Sequence, residues 1–410
     1  MSNAPYTLML LVLGSVQTAG CIGIRSGRGS IAFSPDGTHI SYLREDRLEE
    51  LVVDGKIWSR NISLLWCSVS DPATESSAAI ETLGAEFRSY IHVPCLEAKW
   101  SPESSRIGVL TPHKLIIVEA NSRKKTEIRD GTITSFAWLS DEHCAYLTRR
   151  LGRNTQRLVI CRVDLDTQQK TDVFAFPERP RNLSIGSGDW SPSGKFLILM
   201  EPDGGRQYHC VNVFDGTVRS LGQTDAYNVG VAWAPDSSRA FCVSGKVGPG
   251  DRYEALMLDP ETGVTVDCTA GFHQTFAGHA PSLAPLWTVD GKYVLINALD
   301  IGGHLVQPDP WEAVPLGQKL APRFTVPKLS KTKPWLFRLP VPDWVGVLPT
   351  GNVGDSPVKY AADYSGEQVR TLLENCDYWA ISPDATVAAT IGQDNRVRIL
   401  KLDKWDKGHH

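Results

Sequence analysis

The sequence predicts an all-β protein, a β-propeller of eight four-stranded antiparallel blades, and three observations carry that expectation. A turn of the Ser-Pro-Asp-Gly type recurs along the chain. An aromatic residue stands directly before most copies of it. Between copies the chain offers further short apolar stretches separated by Gly, Pro and Asp, which read as hairpins rather than helices.

The copies run from one end of the chain to the other. The first, Ile31–Leu43, has an apolar stretch, the turn Ser34-Pro35-Asp36-Gly37, and an alternating apolar stretch. Aligned on the turn, the eight copies begin at Ser34, Ser101, Leu139, Ser191, Ala234, Thr288, Val341 and Ser382. Their intervals of 67, 38, 52, 43, 54, 53 and 41 residues scatter around the forty or so of a propeller blade. Seven blades is the alternative, because the copy at Val341 is degenerate and reads equally as an insertion.

Each recurrent residue has a physical reason. Proline at the second position, as in Pro35, Pro192 and Pro383, pre-sets φ for a type I turn. Aspartate at the third, as in Asp36, Asp236, Asp290 and Asp384, accepts hydrogen bonds from nearby backbone N–H groups. The ring before the turn is Phe33, Trp100, Trp138, Trp190, Trp233 or Trp287. A large side chain at the end of an inner strand fills the wedge between blades, so these tryptophans are read as structural. After the turn the chain supplies two more strands, for example Tyr208–Phe214 and Thr217–Leu221 around Asp215-Gly216.

These turns, preceded by tryptophan and followed by an Asp-x-x-Gly hairpin, resemble the TolB-like, WD-related propeller repeat over residues of about 28–405. The resemblance implies a propeller filling the mature chain. TolB itself carries an α/β domain before its propeller, for which this chain has no room, so its role in outer-membrane integrity does not transfer.

The N-terminus is of another kind. Thr7–Val16 is an apolar run of ten residues followed by Thr18-Ala19-Gly20-Cys21. Ten residues are too few to span a bilayer as a helix, but they match the apolar core of a signal peptide. The tail resembles a bacterial lipobox, although Thr18 stands where an aliphatic residue is usual and no Lys or Arg precedes the run. The organisation expected is a signal peptide over 1–20 and one propeller domain over 21–410, with Cys21 lipidated. Localisation follows as the cell envelope, lipid-anchored on its periplasmic face, or secretion; a cytoplasmic scaffold is the alternative. Cys21–Ser26 is also expected to complete the last blade, whose own chain runs out after three strands.

Composition narrows the function. The chain is 42% hydrophobic and 21% charged with a net charge of −4, which gives no basic field for a nucleic-acid backbone. None of the nine cysteines forms a Cys-x-x-Cys pair, so buried thiols in strands explain them better than a metal site or a disulfide framework. No nucleophile elbow or phosphate-binding loop is present, and the sequence predicts no catalytic residue, no metal and no cofactor. Two stretches break the repeat: Arg44–Asn61, an extended hairpin, and His304–Pro334, a Pro-rich segment without regular alternation. Long loops on a rigid scaffold are where function is expected.

In propellers the ligand surface is usually the face carrying the connections between blades and the loops joining second to third strands. Mapped on this chain, those segments contain Arg149, Arg150, Arg153, Arg181, Arg206, Tyr227, Arg252, His273 and His279. Such a set suits an acidic peptide or a carboxylated sugar. The sequence therefore predicts a monomeric, non-catalytic binding module for a protein, peptide or glycan partner. The rival is a lactonase-like or lyase-like propeller enzyme with a metal in its channel.

Overall fold

The computed structural model describes residues 28–402 apart from 54–55, 84–96, 112–113, 181–187, 201–206, 224–227, 247–251, 278, 280–284, 299–300, 321–333, 349–357, 375–377 and 392–395. Blade 1 is β1 (Arg28–Phe33), β2 (His39–Val53), β3 (Lys56–Ser68) and β4 (Glu75–Leu83). Blade 2 is β5 (Glu97–Trp100), β6 (Arg106–Leu110), β7 (Leu115–Glu119) and β8 (Lys125–Ile128). Blade 3 is β9 (Thr132–Trp138), β10 (His143–Leu151), β11 (Thr155–Asp164) and β12 (Lys170–Ala175), with a short β13 (Arg179–Pro180) beside β11. Blade 4 is β14 (Gly188–Trp190), β15 (Phe196–Met200), β16 (Gln207–Asn212) and β17 (Val218–Gln223). Blade 5 is β18 (Asn228–Trp233), β19 (Ala240–Lys246), β20 (Arg252–Leu258) and β21 (Thr265–Asp267), followed by helix α1 (Thr269–Phe276). Blade 6 is β22 (Leu286–Trp287), β23 (Val294–Ala298), β24 (Gly302–Pro308) and β25 (Trp311–Val314), followed by α2 (Leu316–Leu320). Blade 7 is β26 (Trp335–Arg338), β27 (Trp344–Leu348), β28 (Val358–Asp363) and β29 (Val369–Glu374). Blade 8 is β30 (Tyr378–Ile381), β31 (Val387–Ile391) and β32 (Val397–Lys401).

Within each blade the strands pair antiparallel in chain order. First strands of successive blades are neighbours, β1 with β5 and β22 with β26 among them, which places them around the axis. The ring closes where β1 meets β30. There Ile31, Ile40 and Tyr42 of blade 1 share a core with Ala380, Ala389 and Ile391 of blade 8. The count is thus eight, and the copy at Val341 is a blade rather than an insertion. Cys21–Ser26, expected as a strand of blade 8, and the lipidation site Cys21 lie outside the described residues.

All eight predicted turns fall between the first and second strands of a blade. In six of them the fourth residue has positive φ: Gly37, Ser104, Gly194, Ser237, Gly291 and Ala385. A type I turn followed by a left-handed residue brings the second strand back antiparallel to the first. Blade 7 reaches this result differently, since its left-handed residue is Asp343, one position earlier. Blade 3 uses a tighter loop in which Leu139 and Ser140 both donate to His143 O. Asp36, Asp236, Asp290 and Asp384 each accept the backbone N–H two residues on, at 2.9–3.1 Å.

The tryptophans join blades as well as filling them. Trp138 Nε1 donates to Lys99 O at 3.1 Å, Trp233 Nε1 to Asp189 O at 3.1 Å, and Trp287 Nε1 to Ala232 O at 2.8 Å. In each case the acceptor is on the inner strand of the preceding blade. Trp190 Nε1 reaches Ser135 Oγ at 2.9 Å. Trp100 is buried without such a bond and packs instead near His39, with ring centroids 5.9 Å apart.

Two expectations are corrected. The segment His304–Pro334 was expected to lack regular alternation, yet its described part holds most of β24, all of β25 and α2, the outer half of blade 6. His273 and His279 were expected in a connection between blades, yet the chain there is helical from Thr269 as far as Phe276. Phe272 and Phe276 are four residues apart, both buried, and this i, i+4 spacing gives the short helix one apolar face. The six described cysteines, Cys67, Cys144, Cys161, Cys210, Cys242 and Cys268, are buried and free, and burial pushes the thiols of Cys67 up to about 11 and Cys161 up to about 12.

Candidate functional site

Antiparallel pairing in chain order divides the loops between two faces. One face carries the repeated turns and the turns joining third to fourth strands. The other carries the hairpins joining second to third strands and the connections between blades.

The first face is stitched together. Asp36 N donates to Ser104 Oγ at 3.2 Å, Glu103 N to Asp141 Oδ1 at 2.8 Å, and Ser193 N to Ser237 Oγ at 3.0 Å, each bond joining two blades.

The second face is the candidate interaction surface, and two hairpins rise from it. In blade 1 the last pairing of β1 is Arg28 with Arg44, whereas β2 and β3 pair on to Val53 with Lys56. β2 has 15 residues and β3 has 13, against 5 each for β6 and β7. At the rise of an extended strand the pair runs ~23 Å past the last described pairing of β1, with β4 beside it as far as Arg60 opposite Leu83. In blade 3 the β10–β11 hairpin presents Leu151, 50% exposed, beside the exposed Arg153.

The predicted site residues divide into groups. Arg150 anchors the blade 3 hairpin instead of standing free. Its Nε and Nη2 donate to Asp130 at 2.8 and 2.7 Å, and its Nη1 and Nη2 to Asp172 at 2.6 and 2.8 Å. Burial alone would raise the Asp130 carboxyl, but hydrogen bonds from Arg150 and Tyr146 hold it below the usual range. The Arg150 hydrogen bond holds Asp172 low as well. Arg149, next along the strand, has a buried Nε with no hydrogen-bond partner among the described residues. Arg153 occupies the hairpin tip. Arg181, Arg206 and Tyr227 lie outside the described residues, and Arg252 is placed only by its backbone pairing with Lys246.

His273 and His279 sit on a separate element. His273 is in α1, where its Nε2 lies 2.7 Å from Tyr253 O, so it serves packing of the helix on blade 5. His279 follows the helix and is near His304, a residue that the sequence did not single out. His304 is 3% exposed, and burial pushes its imidazole down. Among the described residues no three His, Cys, Asp or Glu side chains are grouped as a metal ion would require.

A second residue missed in the sequence is Asp189, on the inner strand of blade 4. Burial pushes its carboxyl up to about 7, with the Lys99 ammonium pulling the other way. Lys99 itself is held by Phe136 O at 3.0 Å and Glu97 Oε1 at 2.8 Å. Nothing local distinguishes Asp189 from other strand aspartates, because its burial comes from neighbouring blades.

Fold and face together define an eight-bladed β-propeller with a stitched face and a projecting one. No family model matches the sequence, and no curated protein is found similar to it. Among solved structures, the chain superposes on the crystal structure of the eukaryotic initiation factor with a TM-score of 0.52 and 11% identity, covering 85% of this chain and 79% of that one. The β-propeller domain of the Trilobed protease from Pyrococcus furiosus, described with an open velcro topology, gives 0.48 and 12%, covering 86% and 98%. The tricorn protease gives 0.49 and 12%, covering 92% of this chain but 42% of that one, so the chain spans less than half of it. At such identities the likeness is one of fold alone.

Proposed function

We propose that this chain is a non-catalytic interaction scaffold of the bacterial cell envelope, which binds a protein partner through the face bearing the blade 1 and blade 3 hairpins. The observation that carries the reading is the blade 1 hairpin, which runs on past the last described pairings of both its neighbours, Arg28 with Arg44 and Arg60 with Leu83. Loops mounted on a rigid frame are the usual carriers of recognition. Leu151 beside Arg153 gives the same face an apolar contact next to a cation, which suits an acidic protein surface better than a glycan. The TolB-like repeat, bacterial origin and lipidation at Cys21 belong to this proposal, with the lipid holding the disc near a membrane.

A photo-crosslinking side chain placed at Arg153, and another at Thr217 on the opposite face, test it in the native host. Adducts are expected from position 153 alone, and they should vanish when residues 48–59 are replaced by Asn-Gly. Adducts of equal yield from both faces, unaffected by the shortened hairpin, would sink the reading.

One observation favours a second reading, a hydrolase-like or lyase-like enzyme acting at the channel. A carboxyl holding its proton near neutrality, as Asp189 does, is what general acid catalysis uses. Turnover of lactone or ester substrates that disappears in Asp189→Asn would establish it.

A further inference from the structure

We propose that the wedge between blades 3 and 4, on the stitched face, is a docking site for a peptide carboxylate flanked by an apolar side chain. It is distinct from the hairpin face and does not depend on it.

The site follows from what one residue fails to do. In most blades one of the two residues leaving the repeated turn reaches forward and closes the junction with the next blade. His39 of blade 1 packs near Trp100 of blade 2. Arg106 of blade 2 donates to Asp141 O and Asp166 Oδ1 of blade 3, both at 2.8 Å. Lys195 of blade 4 pairs with Glu261 of blade 5. Arg239 of blade 5 lies 5.7 Å above the Trp287 ring of blade 6. Lys292 of blade 6 donates to Asp343 of blade 7 at 2.6 Å.

In blade 3 the corresponding residue is His143, and it turns home. Its Nδ1 lies 3.2 Å from Ser140 Oγ and its Nε2 lies 3.6 Å from Asp164 Oδ2, both within its own blade. The opposing turn of blade 4 offers Phe214 in place of an acid. The apolar core of this junction, Ala145 and Ile160 against Val211 and Val213, therefore ends short of the surface. A cavity of about 430 Å³ opens beyond it, with His143, Arg162, Asp164, Gln169, Thr171 and Phe214 in its lining. That volume is within the range of small-ligand pockets.

The lining specifies the occupant. The Arg162 guanidinium has no ion pair or hydrogen bond among the described residues, and neither the Gln169 amide nor the Thr171 hydroxyl has a side-chain partner there. Asp164, by contrast, is already committed. It accepts from Asp166 N at 3.0 Å and Thr167 N at 2.8 Å, and the Thr167 bonds hold its carboxyl below the usual range. Asp164 keeps its negative charge beside His143, so the charged group left without a partner is the Arg162 guanidinium, whose planar fork matches a carboxylate. Phe214, 52% exposed, supplies an apolar wall beside it. A carboxylate alone would leave that wall and most of the volume unused, so the occupant carries an apolar side chain next to its acid. Ser140 is not a nucleophile in this arrangement, because its Oγ accepts from Glu142 N and His143 N, both at 3.2 Å, and closes the turn.

The carboxylate has two sources, a chain terminus or an acidic side chain. Fluorescence anisotropy on the full chain separates them with three labelled hexapeptides: one ending in a free Leu-Phe carboxylate, one amidated with an internal Asp-Phe, and one amidated with Asn-Phe. Binding of the first or the second but not the third is expected. That binding should weaken at least tenfold in Arg162→Gln and severalfold in Phe214→Ala, and stay unchanged in Val264→Ala, an exposed residue of blade 5. Both variants alter exposed or half-exposed side chains, and unchanged circular dichroism and melting confirm that a loss is local. Equal binding of all three peptides, binding indifferent to Arg162→Gln, or no binding at millimolar peptide would overturn the proposal. So would binding of an oligogalacturonate in place of the peptides.

Discussion

Blade 5 and blade 3 are built on the same plan and differ at nearly every point where the plan is tested. Blade 5 keeps it. Trp233 bonds back to blade 4, the turn Ala234-Pro235-Asp236-Ser237 is closed by a left-handed Ser237, and Arg239 reaches forward over Trp287. Blade 3 keeps the tryptophan and gives up the rest. Its turn is shorter, Asp141 is spent on blade 2, His143 folds back on its own blade, and Leu151 with Arg153 stands out from the other face. Where a blade agrees with the repeat at every level its residues hold the ring, and where it departs the freed side chains face solvent or a cavity. Departures from local consistency are where function is expected to sit.

The largest effect that would sharpen this contrast is at the tryptophans. Trp233→Ala removes a ring that is 2% exposed together with its bond to blade 4, and large-to-small changes of this kind cost about 3–5 kcal/mol. Chemical denaturation should show that loss for Trp233, while Phe214→Ala at the wedge facing blade 3 and Arg153→Ala in blade 3 remain within about 0.5 kcal/mol of the parent chain. A loss at Phe214 as large as that at Trp233 would erase the distinction.

A smaller effect concerns Asp189, which is charged in the unfolded chain above about pH 4 but keeps its proton in the folded chain up to about 7. Between those values the folded state binds more protons than the unfolded one, so stability falls as pH rises through that window. Asp189→Asn should flatten the melting temperature across pH 4–8 and gain stability at pH 8, by ~1.4 kcal/mol for each pKa unit by which burial raises the carboxyl. A variant that melts lower than the parent at pH 8 would show that the Lys99 ammonium needs the charge.

The smallest effect is on the lipid. Cys21→Ser should abolish incorporation of labelled palmitate in the native host and leave the melting curve of the disc unchanged. Equal labelling of both chains would remove the lipid anchor from the account.

How much of this was legible follows from how local each feature is. The eight turns were readable because Pro35, Asp36 and Gly37 act within four residues of one another, as do their counterparts down to Ser382-Pro383-Asp384. The long hairpin at Arg44–Asn61 was readable as an interruption of the repeat. Helix α1 was not, since eight residues give barely two turns of periodicity, although Phe272 and Phe276 held the signal. Blade 6 was obscured because Pro308 ends β24 and Pro310 lies in the turn before β25, and prolines near strands argue against strands in a sequence. Arg150 was read as a free cation because its partners, Asp130 and Asp172, come from a different connection and a different strand. The wedge between blades 3 and 4 could not be read at all, since it depends on His143 not reaching a blade whose turn begins about fifty residues later.

The most direct test sets one side chain against twelve residues. Scanning calorimetry would compare Trp233→Ala with the chain in which residues 48–59 are replaced by Asn-Gly, a two-residue turn suited to the Arg47–Arg60 pair. If the repeating blades hold the ring and the departing blades carry recognition, Trp233→Ala lowers the melting temperature by about 5 °C, as expected for a loss of about 4 kcal/mol in a domain of this size. The shortened hairpin then melts within about 1 °C of the parent chain. A shortened chain that melts as low as Trp233→Ala would mean that the hairpin belongs to the ring, and would contradict the account.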